Sequence, residues 1–317
     1  MNITSAIAKI TSGSNLSEIE MSEVMLDLLE GKATDAQIGA FLIALNMKGE
    51  SVEEVLGGAK IMRQLSDKVE VNKENLVDTC GTGGSGIGIF NVSTTAAFLA
   101  CACGARVAEH GNRSATRKSG SADLLEAAGV SLDLTPSQVS DCIENVGLGF
   151  MFAPSHHSAM KHVIGPRKEI AHKSIFNILG PLTNPASTPN QVMGVYDEKW
   201  MQPVAEVHLS LGSKNVMVVH SQDKLDEISV AAKTKVVELR EDKISEYVIS
   251  PEDFGLEPQS LDELKVNSPE ESLSMAKKAL KGEHSAASSM VALNAGDALY
   301  VSGTENSLSQ GVEKAKE

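Results

Sequence analysis

The chain changes character near residue 70, and that change limits its possible folds more than any other feature. Before it, everything reads as helix. Three capping boxes follow one another, at Ser17 with Glu20, Thr34 with Gln37 and Ser51 with Glu54. In each, a hydroxyl accepts from a backbone N–H while the acid or amide three residues on reaches back. Apolar residues recur behind them at helical spacing: Val24 and Leu28, then Ile38, Leu42 and Leu45, then Val55, Ile61 and Leu65. Gly31 and Gly49 punctuate the ends. After residue 70, short apolar strands alternate with helices. Strands are expected at 76–78, 106–108, 191–195, 215–220, 234–239 and 246–249. Helices are expected at 93–103, 121–128, from Thr135-Pro136, at 199–211, 270–280 and near 290–300. The expected class is α/β: a small, mainly helical N-terminal domain over residues 1–70 and a large α/β domain over 71–317, with a central sheet flanked by helices. Residues 252–267 are the loosest stretch and read as a surface excursion.

Charge and cysteine usage narrow the function classes. A formal net charge of −14 argues against sequence-independent nucleic-acid binding, which rests on Lys and Arg neutralising phosphates. Cys80, Cys101, Cys103 and Cys142 lie in apolar or small-residue runs without CxxC or zinc-like spacing, and read as reduced thiols. Residues 1–9 lack the apolar stretch of a signal peptide, and no run approaches the ~20 apolar residues of a membrane helix. The expectation is a cytoplasmic protein with neither membrane nor nucleic acid as partner.

The first candidate for chemistry is the segment from Gly81 to Gly88, reached directly from the strand at 76–78. Its glycines allow close approach and positive φ, so backbone donors can cradle phosphate oxygens. Asn91-Val92-Ser93-Thr94 then opens a helix, where unpaired N–H groups and the dipole favour an anion. Two adjacent anion sites suit a ligand with two phosphate groups. A dinucleotide site is the rival: Gly81, Gly83 and Gly86 fit GxGxxG, and Glu109 stands where a ribose-binding acid belongs. Against it, Phe90-Asn91-Val92 intervenes before the helix, which in that motif opens inside the glycines. A tight turn without a ligand is the third reading.

Further along, residues 110–123 are too dense in hydrogen-bonding groups to be packing, and at the carboxyl end of a strand they face the usual ligand crevice. His156, His157 and His162 allow a zinc site in principle, but no cysteine pair or HExxH accompanies them. Capping a helix and lining the crevice is their favoured reading. The segment 176–185 reads as a helix end and a rigid, proline-bounded turn with a structural duty. Asp226 and Glu227 follow a strand; such adjacent carboxylates suit Mg²⁺ beside substrate phosphates, or form a solvated turn.

Taken in order, DTCGTGGSG, FNVSTT, HGNRSATRKSGSADLLEAAG, FAPSHHSAMKH, GPRKEIAHKSIFNILGPLTNP and LDEIS resemble the anthranilate phosphoribosyltransferase family. The resemblance runs over nearly the whole chain, and HGNR with SGSAD and FNILGPLTNP are its most specific parts. It implies a nucleoside phosphorylase/phosphoribosyltransferase-like fold, with the helical domain joined by about 165–190, and a homodimer. It implies transfer of the phosphoribosyl group of phosphoribosyl pyrophosphate (PRPP) to the amine of anthranilate, with Mg²⁺, in tryptophan biosynthesis. Carried over by position, Gly81, Thr82, Gly84, Ser85, Ile89, Asn91, Ser93 and Thr94 would bind PRPP from one side. Glu109, His110, Gly111, Asn112, Arg113, Arg117 and Ser121 would bind it from the other. Gly81, Asn112 and Arg167 would hold anthranilate, and Ser93, Asp226 and Glu227 the Mg²⁺. No residue is required as a strong base. The chain departs from the family pattern at Ser85 (usually Asp), Ile89 (usually Thr) and Glu109 (usually Lys). Glu109 is expected to repel phosphate and weaken binding unless Arg117, Lys118 or a metal compensates. A pyrimidine nucleoside phosphorylase-like enzyme and a non-catalytic nucleic-acid-binding relative are the alternatives.

Overall fold

The computed structural model describes residues 1–84, 86–114 and 118–317. The helical part comprises α1 (Ile3–Thr11), α2 (Glu18–Leu29), α3 (Asp35–Lys48) and α4 (Val52–Leu65). All three expected capping boxes form, at Ser17, Thr34 and Ser51. The third does more than cap. Glu54 is fully buried and accepts from Ser51 N at 2.7 Å, Leu16 N at 2.9 Å and Lys48 Nζ at 2.9 Å, tying three helices together. Lys48 is itself 6% exposed, so neither charge has water to fall back on. Glu54→Ala is therefore expected to cost about 3–5 kcal/mol in urea denaturation, because it removes the carboxylate partner of Lys48 together with the acceptor of Leu16 N and Ser51 N. A loss under about 1 kcal/mol would refute that account.

The rest of the chain supplies one mixed sheet and its covering helices. In order these are β1 (Leu76–Asp78), α5 (Val92–Ala102), β2 (Arg106–Gly111), α6 (Ser121–Ala127), α7 (Pro136–Val146), β3 (Leu148–Phe152), α8 (Ala153–His156), α9 (Lys161–Ile170) and α10 (Phe176–Leu179). Then come β4 (Asn190–Gly194), α11 (Met201–Ser210), β5 (Asn215–Ser221), β6 (Thr234–Arg240), β7 (Lys243–Ile249), α12 (Pro269–Leu280), α13 (Ser285–Ser302) and α14 (Leu308–Lys316). The sheet order is β3-β2-β1-β4-β5-β6-β7. Pairings from β3 through β5 are parallel, and β6 and β7 add an antiparallel edge. Parallel strands need cover on both faces, and here they have it. Val216, Val218 and Val237 pack toward α11 and the helical part, while Val77, Val107, Met217 and Val219 pack toward α5, α12 and α13. Because β1 has β2 on one side and β4 on the other, its carboxyl end is the place where an open sheet leaves a ligand crevice. α9 packs on α2 and α3, and α10 on α4, closing that crevice from the helical side. Among the described residues, no helix is long and apolar enough to cross a membrane.

The structure differs from the sequence expectations at several places, among them an additional C-terminal helix, α14. β3 is an additional strand; Leu148-Gly149-Phe150-Met151-Phe152 has no polar alternation because its partner and helices cover it. β2 continues to Gly111, so Glu109 and His110 lie inside the sheet, opposite Phe150 and Met151. Residues 252–267 are anchored rather than loose. Phe90 N donates to Leu264 O and Val266 N to Gly88 O, with Leu264 fully buried.

Candidate active site

The crevice is organised by a buried carboxyl, Asp78, at the end of β1. Its Oδ1 accepts from Cys80 N at 3.0 Å and His110 N at 3.3 Å, and its Oδ2 from Asn184 Nδ2 at 2.7 Å and Gln191 Nε2 at 3.3 Å. One residue thereby fixes the start of the glycine loop, the end of β2, the turn after α10, and β4. Asn184 also donates to Ala108 O at 2.9 Å, which gives the 176–185 segment its structural duty. Burial pushes Asp78 up to about 7 despite these donors.

The glycine loop then crosses the end of β4. Thr82 N donates to Gly194 O at 2.8 Å, and Tyr196 N donates to Thr82 Oγ1 at 3.0 Å. Gly83 and Gly84 take φ of +63° and +82°, a left-handed conformation open to glycine. Lys173, in the segment between α9 and α10, donates from Nζ to Gly84 O at 3.3 Å and lies 3.6 Å from the Tyr196 ring centroid. The loop ends well before α5. Asn91, the residue preceding α5, makes no side-chain cap to it; its Oδ1 instead accepts from Ser119 Oγ and Ser272 Oγ, each at 2.7 Å. The helix opens at Val92, outside the glycines, so the geometry of a dinucleotide fingerprint is not formed. A helix start left uncapped by its own sequence suits an anion.

On the opposite wall, Glu109 is 2% exposed and its Oε1 accepts from Thr94 Oγ1 at 2.6 Å. Burial, reinforced by the nearby Asp78, pushes its carboxyl up to about 8. The expected repulsion of phosphate by Glu109 therefore needs correction: at neutral pH the group is mainly a neutral acid. His110 is buried, and its ring packs against that of His157, centroids 5.1 Å apart and planes tilted by 55°. Burial lowers both, His157 to about 4, so both rings are neutral in ordinary buffers. Arg113 is engaged elsewhere in part, donating to Glu126 at 3.0 and 2.6 Å and lying over Phe152. Arg167, on α9, lies 4.9 Å from the Phe176 ring centroid. Asp226 is buried at the turn after β5 with Glu227 beside it, half-buried; Asp223 shapes that turn by accepting from Ser221 and Ser229 hydroxyls.

These groups face one cavity of about 490 Å³. Gly81, Thr82, Gly84, Asn91, Ser93 and Thr94 line one side of it, and Glu109, His110, Gly111, Asn112, Arg113 and Ser121 another. Arg167, Asp226 and Glu227 complete the lining. Ile89 is the exception among the described candidates. Its side chain is packed in the apolar cluster beneath α5 and its backbone bridges Lys265, so it stands away from the cavity. Ser85 and Arg117 lie outside the described residues. Lys118 is exposed and does not line the cavity. The zinc reading finds no support: among the described residues no three His, Cys, Asp or Glu side chains converge as a metal site, and His162 instead lies against Gly31. The hydroxyl of Ser93 and the carboxylates of Asp226 and Glu227 are hard oxygen donors at one cavity, a set that fits Mg²⁺ shared with substrate oxygens. Sequence reasoning missed Lys173 and Asn177 as cavity residues, whereas His157 lines the cavity as the sequence reading had it. For Lys173 the available signal was its place in a cationic stretch that begins at Arg167.

A helical bundle joined to an α/β domain, with a glycine loop and an uncapped helix start lining a cavity at the sheet's switch point, fits a transferase of phosphorylated sugars. Family models agree: "Glycosyl transferase family, helical bundle domain" matches residues 4–66, and "Glycosyl transferase family, a/b domain" residues 73–317. The anthranilate phosphoribosyltransferase of Marinomonas sp. (strain MWYL1) is 56% identical, covering 100% of this chain and 92% of that relative. That of Ruthia magnifica subsp. Calyptogena magnifica is 54% identical, covering 99% and 93%. Among solved structures, anthranilate phosphoribosyltransferase from Thermus thermophilus matches with a TM-score of 0.92 at 40% identity, over 98% of this chain and 93% of that one. The Saccharomyces cerevisiae enzyme in complex with PRPP and Mg matches at 0.90 and 26% identity, over 99% and 92%. The chain belongs to the anthranilate phosphoribosyltransferase family.

Proposed function

We propose that this chain transfers the phosphoribosyl group of PRPP to the amine of anthranilate, giving N-(5-phosphoribosyl)anthranilate and pyrophosphate, a step of tryptophan biosynthesis. The observation that carries this is the meeting, in one cavity, of the glycine loop, the α5 N-terminus, the Asp226–Glu227 pair and Arg167. Backbone donors of Gly81 and Gly84 hold the diphosphate, and the first turn of α5 at Asn91, Ser93 and Thr94 holds sugar-phosphate oxygens. Asn112 and Arg167 take anthranilate, the planar guanidinium pairing with its carboxylate. Ser93, Asp226 and Glu227 hold Mg²⁺, which when bound neutralises charge on the departing pyrophosphate. The reaction loses pyrophosphate from a carbon that gains positive character, while the aromatic amine attacks the opposite face. The residues contribute by holding both reactants in line and by placing fixed donors where negative charge grows. The neutral imidazoles of His110 and His157 add no positive charge to repel the developing cation.

The packing of α9 against α2 and α3 supports drawing the helical domain as residues 1–70 joined by about 165–190, beside an α/β domain of 71–317. We expect the active species to be a homodimer. Purified protein given PRPP, anthranilate and Mg²⁺ is expected to form phosphoribosyl anthranilate, followed as loss of anthranilate fluorescence. Unchanged fluorescence over hours, with thymidine phosphorolysis instead, would replace this reading by the nucleoside phosphorylase one.

A further inference from the structure

Glu109 raises a question that the family reading leaves open. It lines the cavity, is only 2% exposed, and has one oxygen, Oε2, with no hydrogen-bond partner among the described residues. Its other oxygen receives the Thr94 hydroxyl at 2.6 Å, and Thr94 sits in the first turn of α5, where the anion would lie. The groups around it sharpen the problem. From β1 comes Asp78, another buried carboxyl; from the glycine loop, Cys80; from β3, the apolar Phe150 opposite it. The adjacent His110 carries no charge in neutral solution. A carboxylate at this place would stand unpaired in a low-dielectric wall and face an incoming polyanion, two costs that add.

We propose that Glu109 is a positioning residue that works as a carboxylic acid: it keeps its proton while the anionic ligand is bound, fixes the Thr94 hydroxyl at the α5 N-terminus, and makes ligand binding proton-linked. The proposal rests on the anion-binding reading of the cavity given above. A group that titrates near 8 in the free protein and must be protonated in the complex makes affinity fall as pH rises through that value. Below it, the proton is already present and binding is insensitive to this group. Above it, each unit of pH costs up to about tenfold in affinity.

The test is calorimetric titration of the full chain, wild type and Glu109→Gln, with PRPP plus Mg²⁺ and separately with inorganic pyrophosphate plus Mg²⁺. Glutamine keeps the shape and an acceptor for Thr94 but cannot ionise. Ionisation of the ligand itself, and of Asp78, is common to both proteins. Wild-type affinity for PRPP is expected to fall between about pH 7 and about pH 9.5 by at least about tenfold more than that of Glu109→Gln. Buffers of different ionisation heat are expected to reveal a proton taken up by the wild type near pH 9; this measurement needs no variant. Parallel pH curves, or no proton uptake, would overturn the proposal. If PRPP fails to bind while pyrophosphate binds with the Glu109-dependent profile, the substrate assignment falls and this inference stands. Binding of neither ligand overturns both.

Discussion

Asp226→Asn is expected to lower kcat/KM by about a thousandfold while the protein stays folded. The magnitude follows from what the side chain can do where it is. Asp226 is 5% exposed, opens onto the cavity beside Glu227, and has the Ser93 hydroxyl in the same lining. Hard cations need anionic oxygen, and an amide of the same shape supplies a weaker, neutral donor. The departing pyrophosphate gains negative charge as its bond to the sugar breaks. Losing one carboxylate from the set proposed to hold the neutralising Mg²⁺ is equivalent to roughly 4 kcal/mol of transition-state stabilisation at a thousandfold. Glu227 is more exposed, so water can replace it in part, and Glu227→Gln is expected to cost about ten- to a hundredfold. The measurement is steady-state kinetics with Mg²⁺ varied at each substrate concentration. The asparagine variant should need more Mg²⁺ to reach its reduced rate. An Asp226→Asn protein with near-native kcat/KM at low Mg²⁺ would remove Asp226 from the metal-holding role. A melting curve close to wild type separates this loss from unfolding.

How much of this was legible in the sequence depends on where each signal resides. The capping boxes at Ser17, Thr34 and Ser51 are local, satisfied within four residues, and all three form. The strands at β1, β4, β5 and β6 were readable because apolar β-branched runs end in polar or glycine residues. β3 was not, since a short continuous apolar run has the same appearance in a buried helix as in a buried strand. α14 was missed as well: a short amphipathic helix owes its formation to packing on α13, which no local pattern contains. At the site, residue types near the glycine loop pointed to an anion, but the convergence of Arg167 with Asp226 depends on the order of the sheet. Glu109 shows the limit most clearly. As a letter it is an anion beside phosphate; as a residue of β2 extended to Gly111 it is buried and mainly protonated, and extension of the strand is a tertiary event. Ile89 errs the other way, since a position carried over from the resemblance is here packed into the apolar cluster.

Gly194→Ala is expected to remove most activity from a distance, because one glycine joins the two halves of the site. Gly194 ends β4, and its carbonyl accepts from both the backbone N–H of Thr82 at 2.8 Å and its hydroxyl at 3.2 Å, holding the glycine loop. On its other side, an added Cβ would overlap the carbonyl oxygen of Asp226 and stand 2.5 Å from its carbonyl carbon. Every atom it would meet there is backbone, so no rotamer change can make room. Either β4 bends away and takes the glycine loop with it, or the Asp226 turn moves. Overpacking of this kind costs about 1–3 kcal/mol in stability. Displacement of the Asp226 turn or the glycine loop by an ångström or so is expected to cost about a hundredfold or more in kcat/KM, since in-line geometry tolerates little error. Gly39→Ala is the matched control. It lies within α3, its added methyl would come no nearer than 4.0 Å to Ile170 Cδ1, and its φ is not positive, so alanine there should be neutral to slightly stabilising. If Gly194→Ala matched the control in both melting temperature and kcat/KM, the close approach of β4 to the Asp226 turn would not be what sets the site's geometry.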